Sequence, residues 1–134
     1  MTPKTSKPSA ASPFCFEVEF KTPLGNKVKG MKVWEYRALR QQIREFLVRH
    51  IYKTYVEPGL LRPTFAQAKV TCTYIAVSKR QADYDNLAQA FKPWLDELQF
   101  VGVLKGDHMD LIGRPEYIRE QGEKYMVRIE ITQE

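Results

Sequence analysis

Asp83 and Asp85 stand two apart in the run Asp83-Tyr84-Asp85-Asn86, and Lys92, Asp96 and the segment Gly106-Asp107-His108 follow. Carboxylates gathered in this way raise one another's pKa unless a cation lies among them. Oxygen donors of this kind suit magnesium, which keeps several of its own waters and is usually held by a few carboxylates together with a substrate phosphate. At a phosphodiester such an ion activates water and offsets the growing negative charge. The remainder of the chain is basic, with 21 Lys and Arg against 16 Asp and Glu, a net charge of +5. An acidic pocket inside a basic chain is the outline of a metal site presented to a polyanion.

Spacing supports more than one use of these side chains. In extended chain, residues two apart point to one side, which would aim Asp83 and Asp85 together. Asp85 also suits an N-cap for a helix beginning near Asn86. In a helix, Lys92 and Asp96 return to within about 20° of Asp85 and share its stripe. Pro93 interrupts that geometry and predicts two short helices with a break. Lys92 and Asp96 are equally spaced for a surface ion pair at i,i+4. His108, next to Asp107, has the chemistry of a general base but equally that of a strand histidine. Tyr84 and Trp94 have the rings to stack on unpaired bases, and as large aromatics they also suit the core.

The elements that must position these groups follow from periodicity. Phe14, Phe16, Val18 and Phe20 alternate with polar residues and predict a strand with one buried face. Residues Pro23 to Asn26 have turn chemistry, with Gly25 and Asn26 suited to positive φ. From Trp34 to Tyr55 apolar residues fall at helical spacing while Arg37, Arg40 and Arg44 share another face, and Glu57-Pro58-Gly59 ends the helix. Between Lys21 and Lys53 nine basic residues meet two acidic ones, a local charge of +7 that exceeds that of the whole chain. Such concentration is expected of a phosphate-facing surface. Ala68 to Val77 reads as a second strand, Asp83 to Phe100 as loop entering helix, 101–104 and 108–112 as short strands, and Tyr125 to Ile131 as a closing strand. The order β-α-β-α-β-β predicts a single compact α+β domain over residues 13–134, a mixed β-sheet packed against two main helices. Residues 1–12, small, polar and Pro-containing, are expected to be a disordered tail.

Cys15 and Cys72 lie far apart, with no CxxC spacing and only His50 and His108 beside them, so structural zinc is not expected. Buried reduced thiols in a reducing, cytoplasmic setting are. No stretch approaches the length of a membrane span, and no membrane partner is expected.

Taken together, Asp83-Tyr84-Asp85-Asn86-Leu87, Lys92, Asp96-Glu97-Leu98 and Asp107 resemble the RusA family of Holliday junction resolvases, whose pattern is Asp-x-Asp-Asn-Leu, a Lys, Asp-Ala-Leu and an Asp-Asp pair. Pro23 to Lys27 is similar to that family's N-terminal Pro and Asn turn before basic residues. Tyr36-Arg37 matches a Tyr-Arg in its first helix, and Ala68 to Arg80 stands where it has a strand and basic run. The likeness covers nearly everything after the first dozen residues.

The resemblance implies a magnesium-dependent endonuclease, with Mn2+ as a substitute, that resolves Holliday junctions by symmetric nicking in DNA recombination or repair. It acts as a homodimer on branched DNA, often in a phage-derived setting. By resemblance Asp83, Asp85 and Asp107 hold metal and Lys92 assists phosphoryl chemistry. Lys27, Lys29, Arg37, Arg40, Arg44, Lys79 and Arg80 are the residues expected to contact DNA. The chain departs from the pattern at Gln89, where the family carries its lysine, so that Lys92 arrives three residues late. Gly106 replaces the first Asp of the terminal pair, and Ala82 stands where relatives often have a basic residue. These departures keep open a noncatalytic DNA-binding protein that has lost turnover. A further alternative is an interaction protein whose acids are caps and ion pairs.

Overall fold

The computed structural model describes residues 13–79, 82–105 and 113–133. Expectations for residues 1–12, Arg80, Gly106, Asp107, His108 and the strand at 108–112 lie outside them. In chain order the elements are β1 (Phe14–Glu19), α1 (Gly25–Lys29), α2 (Val33–Ile51), a π-helical turn (Tyr52–Val56), β2 (Ala68–Ala76), α3 (Tyr84–Phe100), β3 (Glu116–Gln121) and β4 (Met126–Gln133).

The four strands form one mixed sheet in the order β1-β4-β2-β3. β4 runs antiparallel to both neighbours, pairing Phe16 with Ile129 and Cys72 with Ile129 on its two sides. β2 and β3 are parallel, Cys72 opposite Tyr117, and α3 makes the crossover between them. The result is a single compact α+β domain, as the element order predicts.

Alternation decides which sheet face is covered. Phe14, Phe16, Val70, Cys72, Val127, Ile129 and Ile131 are buried, and they pack against Leu39, Ile43, Leu47 and Ile51 of α2 and Leu87, Phe91, Trp94, Leu95 and Leu98 of α3. The opposite face carries cross-strand charge pairs, with Arg128 Nε 2.9 Å from Glu17 Oε2. Cys72 is buried, and burial raises its thiol pKa, whereas Cys15 is exposed. The expectation of two buried thiols therefore holds only for Cys72, because Cys15 falls on the outward phase of β1.

Several local expectations are corrected. Gly25 does not supply a positive φ; it begins α1, and it is needed because a Cβ there would lie 3.0 Å from Asn86 Cα and from Gln89 Cβ of α3. The break expected at Pro93 does not occur: α3 is continuous. An internal proline costs a helix about 3 kcal/mol or more. Phe91, Trp94, Leu95 and Leu98 are all buried around it, and each such burial contributes about 1.5–3 kcal/mol, so packing wins. Residues 101–104 are not a strand; Leu104 makes only an isolated bridge to Phe65. The strand in its place is β3, whose Glu116-Tyr-Ile-Arg-Glu-Gln sequence lacks alternation because it lies half-buried at the sheet edge. The helix expected from Trp34 to Tyr55 is α-helical to Ile51 and continues as the π-helical turn, and the chain leaves it at Gly59, where φ is 80°.

Candidate active site

The acidic motif stands at the entrance to α3. Asp83 is the N-cap, in extended conformation, and its Oδ1 accepts a hydrogen bond from the Asn86 N–H at 2.9 Å. Asp85 lies in the first helical turn. The cap is therefore Asp83, not Asp85, and the two carboxylates straddle the step from extended to helical backbone rather than lying on one extended strand. Both are exposed, at the end of the helix where backbone N–H groups and the macrodipole favour negative charge.

Tyr84, between them, ties this corner to the segment entering β3. Arg114 Nε donates to Tyr84 Oη at 3.1 Å and its guanidinium lies 5.1 Å from the ring centre. The Tyr84 ring meets Tyr117 of β3 edge-on at 5.3 Å. Thus the chain re-enters the described structure at Gly113 beside the acidic motif, a few residues after Asp107. Among the described residues no three Asp, Glu, His or Cys side chains gather as a metal-binding group. Two exposed carboxylates, one of whose oxygens is engaged by the cap, give an oxygen-only donor set of the kind magnesium takes with water and a substrate phosphate; the Asp107 expected beside them lies outside the described residues.

Lys92 lies two helical turns beyond Asp85 and is paired with Asp96, Nζ to Oδ1 3.1 Å. Asp96 also lies 3.9 Å from Arg40 Nη1. Gln89, at the position where the resemblance has its lysine, packs toward Gly25. Trp94 is fully buried, its Nε1 donating to Thr22 Oγ1 at 3.1 Å and its ring stacked near that of Phe46, so it serves the core and has no face for a base.

The basic stripe divides. Lys27, Lys29, Arg37 and Lys79 are exposed. Arg40 and Arg44 turn inward to Glu97 of α3, whose side chain is fully buried. Arg40 Nε lies 2.6 Å from Oε2 and Arg44 Nε 2.7 Å from Oε1. Arg44 also covers the Phe100 ring at 3.9 Å. These two arginines line an open hollow of about 660 Å³ with Arg37 and Tyr36, and they share the single carboxylate of Glu97. Burial, together with nearby Asp96, pushes the Tyr36 phenol up.

Sequence reasoning missed Glu97, Arg114 and the packing role of Gly25. Glu97 was findable: it falls between Trp94 and Leu98 on the apolar arc of α3, opposite two arginines spaced i,i+4. Arg114 carried no signal, because its partner is 30 residues away. The chain matches no protein-family model and no curated protein.

Proposed function

We propose that this protein is a magnesium-dependent, structure-selective endonuclease that nicks branched DNA, with four-way junctions as the substrate and a homodimer as the acting form. The observation that carries the reading is the pair Asp83 and Asp85, both exposed at the N-terminus of α3, with Arg114, ahead of β3, bonded to the Tyr84 between them. Asp83, Asp85 and Asp107 are the residues that would hold the ion, which when bound supplies an activated water and charge neutralisation at the phosphate. The chain's own contribution is to fix those carboxylates. The cap bond orients Asp83, and the Arg114–Tyr84 contact limits how far the entry to β3 departs from α3. Lys27, Lys29, Arg37 and Lys79 remain as exposed cations for DNA phosphates, and Arg80 extends that run in the sequence.

The noncatalytic reading is favoured by one observation, the commitment of Lys92 to Asp96 with Gln89 at the lysine position of the resemblance. A nicking assay on a labelled four-way junction and a matched linear duplex separates the two. Symmetric nicks that need magnesium and disappear in Asp85→Asn are expected. Binding of the junction without cleavage, with or without metal, would leave only the DNA-binding reading.

A further inference from the structure

Beside the acidic motif an open groove of about 730 Å³ lies among the exit of β1, α1, α2 and the entry to α3. Its lining includes Lys21, Asn26, Lys27, Trp34, Tyr74 and Asn86. Trp34 is 66% exposed there, a large flat apolar surface left in water at the groove wall. The other tryptophan, Trp94, is wholly buried, so the chain does not leave Trp34 outside for want of core.

Asn86 links the groove to the motif. Its backbone N–H holds the Asp83 carboxylate, and its side-chain oxygen would lie 3.0 Å from a Cβ at Gly25. The groove therefore adjoins the motif through Ala82 and Asn86, which flank it and line the groove. The lining carries two cations, Lys21 and Lys27, against one carboxylate, Glu35. Glu35 is held by the Lys32 N–H at 2.8 Å, and Lys21 Nζ lies 4.7 Å from the Tyr125 ring centre.

An aromatic platform, cations beside it and side-chain amides at its edge match the three faces of an unpaired nucleotide: base ring, phosphate and hydrogen-bonding edge. A base-paired nucleotide keeps its ring inside the stack and cannot offer it. We propose that this groove binds an unpaired nucleotide of the DNA strand, its base on Trp34 and its phosphate toward Lys27 and Lys21. This rests on the endonuclease reading and deepens it: the strand is gripped next to the metal ligands by a nucleotide freed at the branch point, which makes the groove a determinant of structure selectivity.

The test needs neither metal nor cleavage. The full chain is titrated with a dodecathymidylate and, separately, with a duplex of equal length, while tryptophan emission and the anisotropy of a labelled strand are followed. The single strand is expected to quench the solvent-exposed emission of Trp34, and the duplex to leave it largely unchanged. Trp34→Ala should weaken single-strand binding about fivefold to a hundredfold, and Lys27→Ala should reduce the salt slope by about 0.7. The emission of buried Trp94 reports that each variant is folded. Unchanged affinity in folded Trp34→Ala, or equal quenching by the duplex, would overturn the inference. Magnesium-dependent junction nicking by a protein that fails this titration would remove the groove assignment alone, whereas quenching without nicking would keep the groove and remove the nuclease.

Discussion

Arg40 and Glu97, 57 residues apart in sequence, meet in a charge-assisted fork: Nε lies 2.6 Å and Nη2 2.5 Å from the same oxygen, Oε2, of a carboxylate with no exposed surface. Arg44 takes the other oxygen at 2.7 Å. Two consecutive turns of α2 are in this way bound to one turn of α3, and α3 carries the acidic motif at its far end. A row of arginines that reads as a DNA-facing stripe is in large part an interhelical clamp.

Removing Glu97 strands two cations against α3, each about one-third exposed. Glu97→Ala should cost about 3 kcal/mol, the lower end of the range for breaking a buried pair, since the arginines can turn toward water. Urea unfolding measures this. Replacing Arg40, Arg44 and Glu97 together by Met, Met and Leu should restore most of the loss; if it does not, the clamp is more than a compensated charge.

Asp83 has two separable roles. Asp83→Ala removes the cap and should cost about 1 kcal/mol of stability. Asp83→Asn keeps an acceptor for the Asn86 N–H and should leave stability nearly unchanged while abolishing any magnesium-induced rise in Tm. A Tm rise that persists in Asp83→Asn would take this residue out of the metal site.

Gly25 lets α1 lie against the first turns of α3. Gly25→Ala places a methyl 3.0 Å from Asn86 Cα, a backbone atom that cannot swing aside. We expect a loss of about 1–3 kcal/mol by denaturant unfolding. Exchange protection of amides in 84–89 should fall with it, because that is the surface displaced.

His50 is a half-buried titratable group set against core rings. It stands edge-on to Phe14 at 5.4 Å and Phe16 at 5.2 Å. Burial holds its imidazole below the usual histidine range, against a smaller opposing effect of a hydrogen bond with the Cys15 backbone. The unfolded chain then binds the proton more readily than the folded one. Its stabilisation is fully present above the ordinary value of about 6.5 and is lost as pH falls through the depressed folded value. The urea midpoint should drop from pH 7.5 to pH 5, and less steeply in His50→Leu. Equal slopes in both proteins would assign the acid sensitivity elsewhere.

The elements with strong period were legible in the sequence: β1 from Phe14, Phe16 and Val18, α2 from Leu39, Ile43 and Leu47, β4 from Val127, Ile129 and Ile131. β3 was not, because an edge strand half-covered on both sides has no alternation to read. The helix through Pro93 was not either, because local backbone preference argues for a break and only tertiary burial of Phe91 and Trp94 reverses it. At the site, the acids were visible as types and spacing. That Asp83 caps and Asp85 does not depends on where the first helical bond forms, and that Arg40 and Arg44 face inward depends on a glutamate on another helix.

The position of β4 has a consequence for how the molecule assembles. It is an inner strand, with β1 on one side and β2 on the other, so β1 has no neighbour in the sheet, and β2 only β3, until residues 126–133 join them. The contact of Phe14 with Ile131 closes a loop across nearly the whole domain, and non-local closures of this kind slow folding. Until β4 arrives, the edge of β2 that it covers is open, and an open strand edge can pair with other copies of the chain.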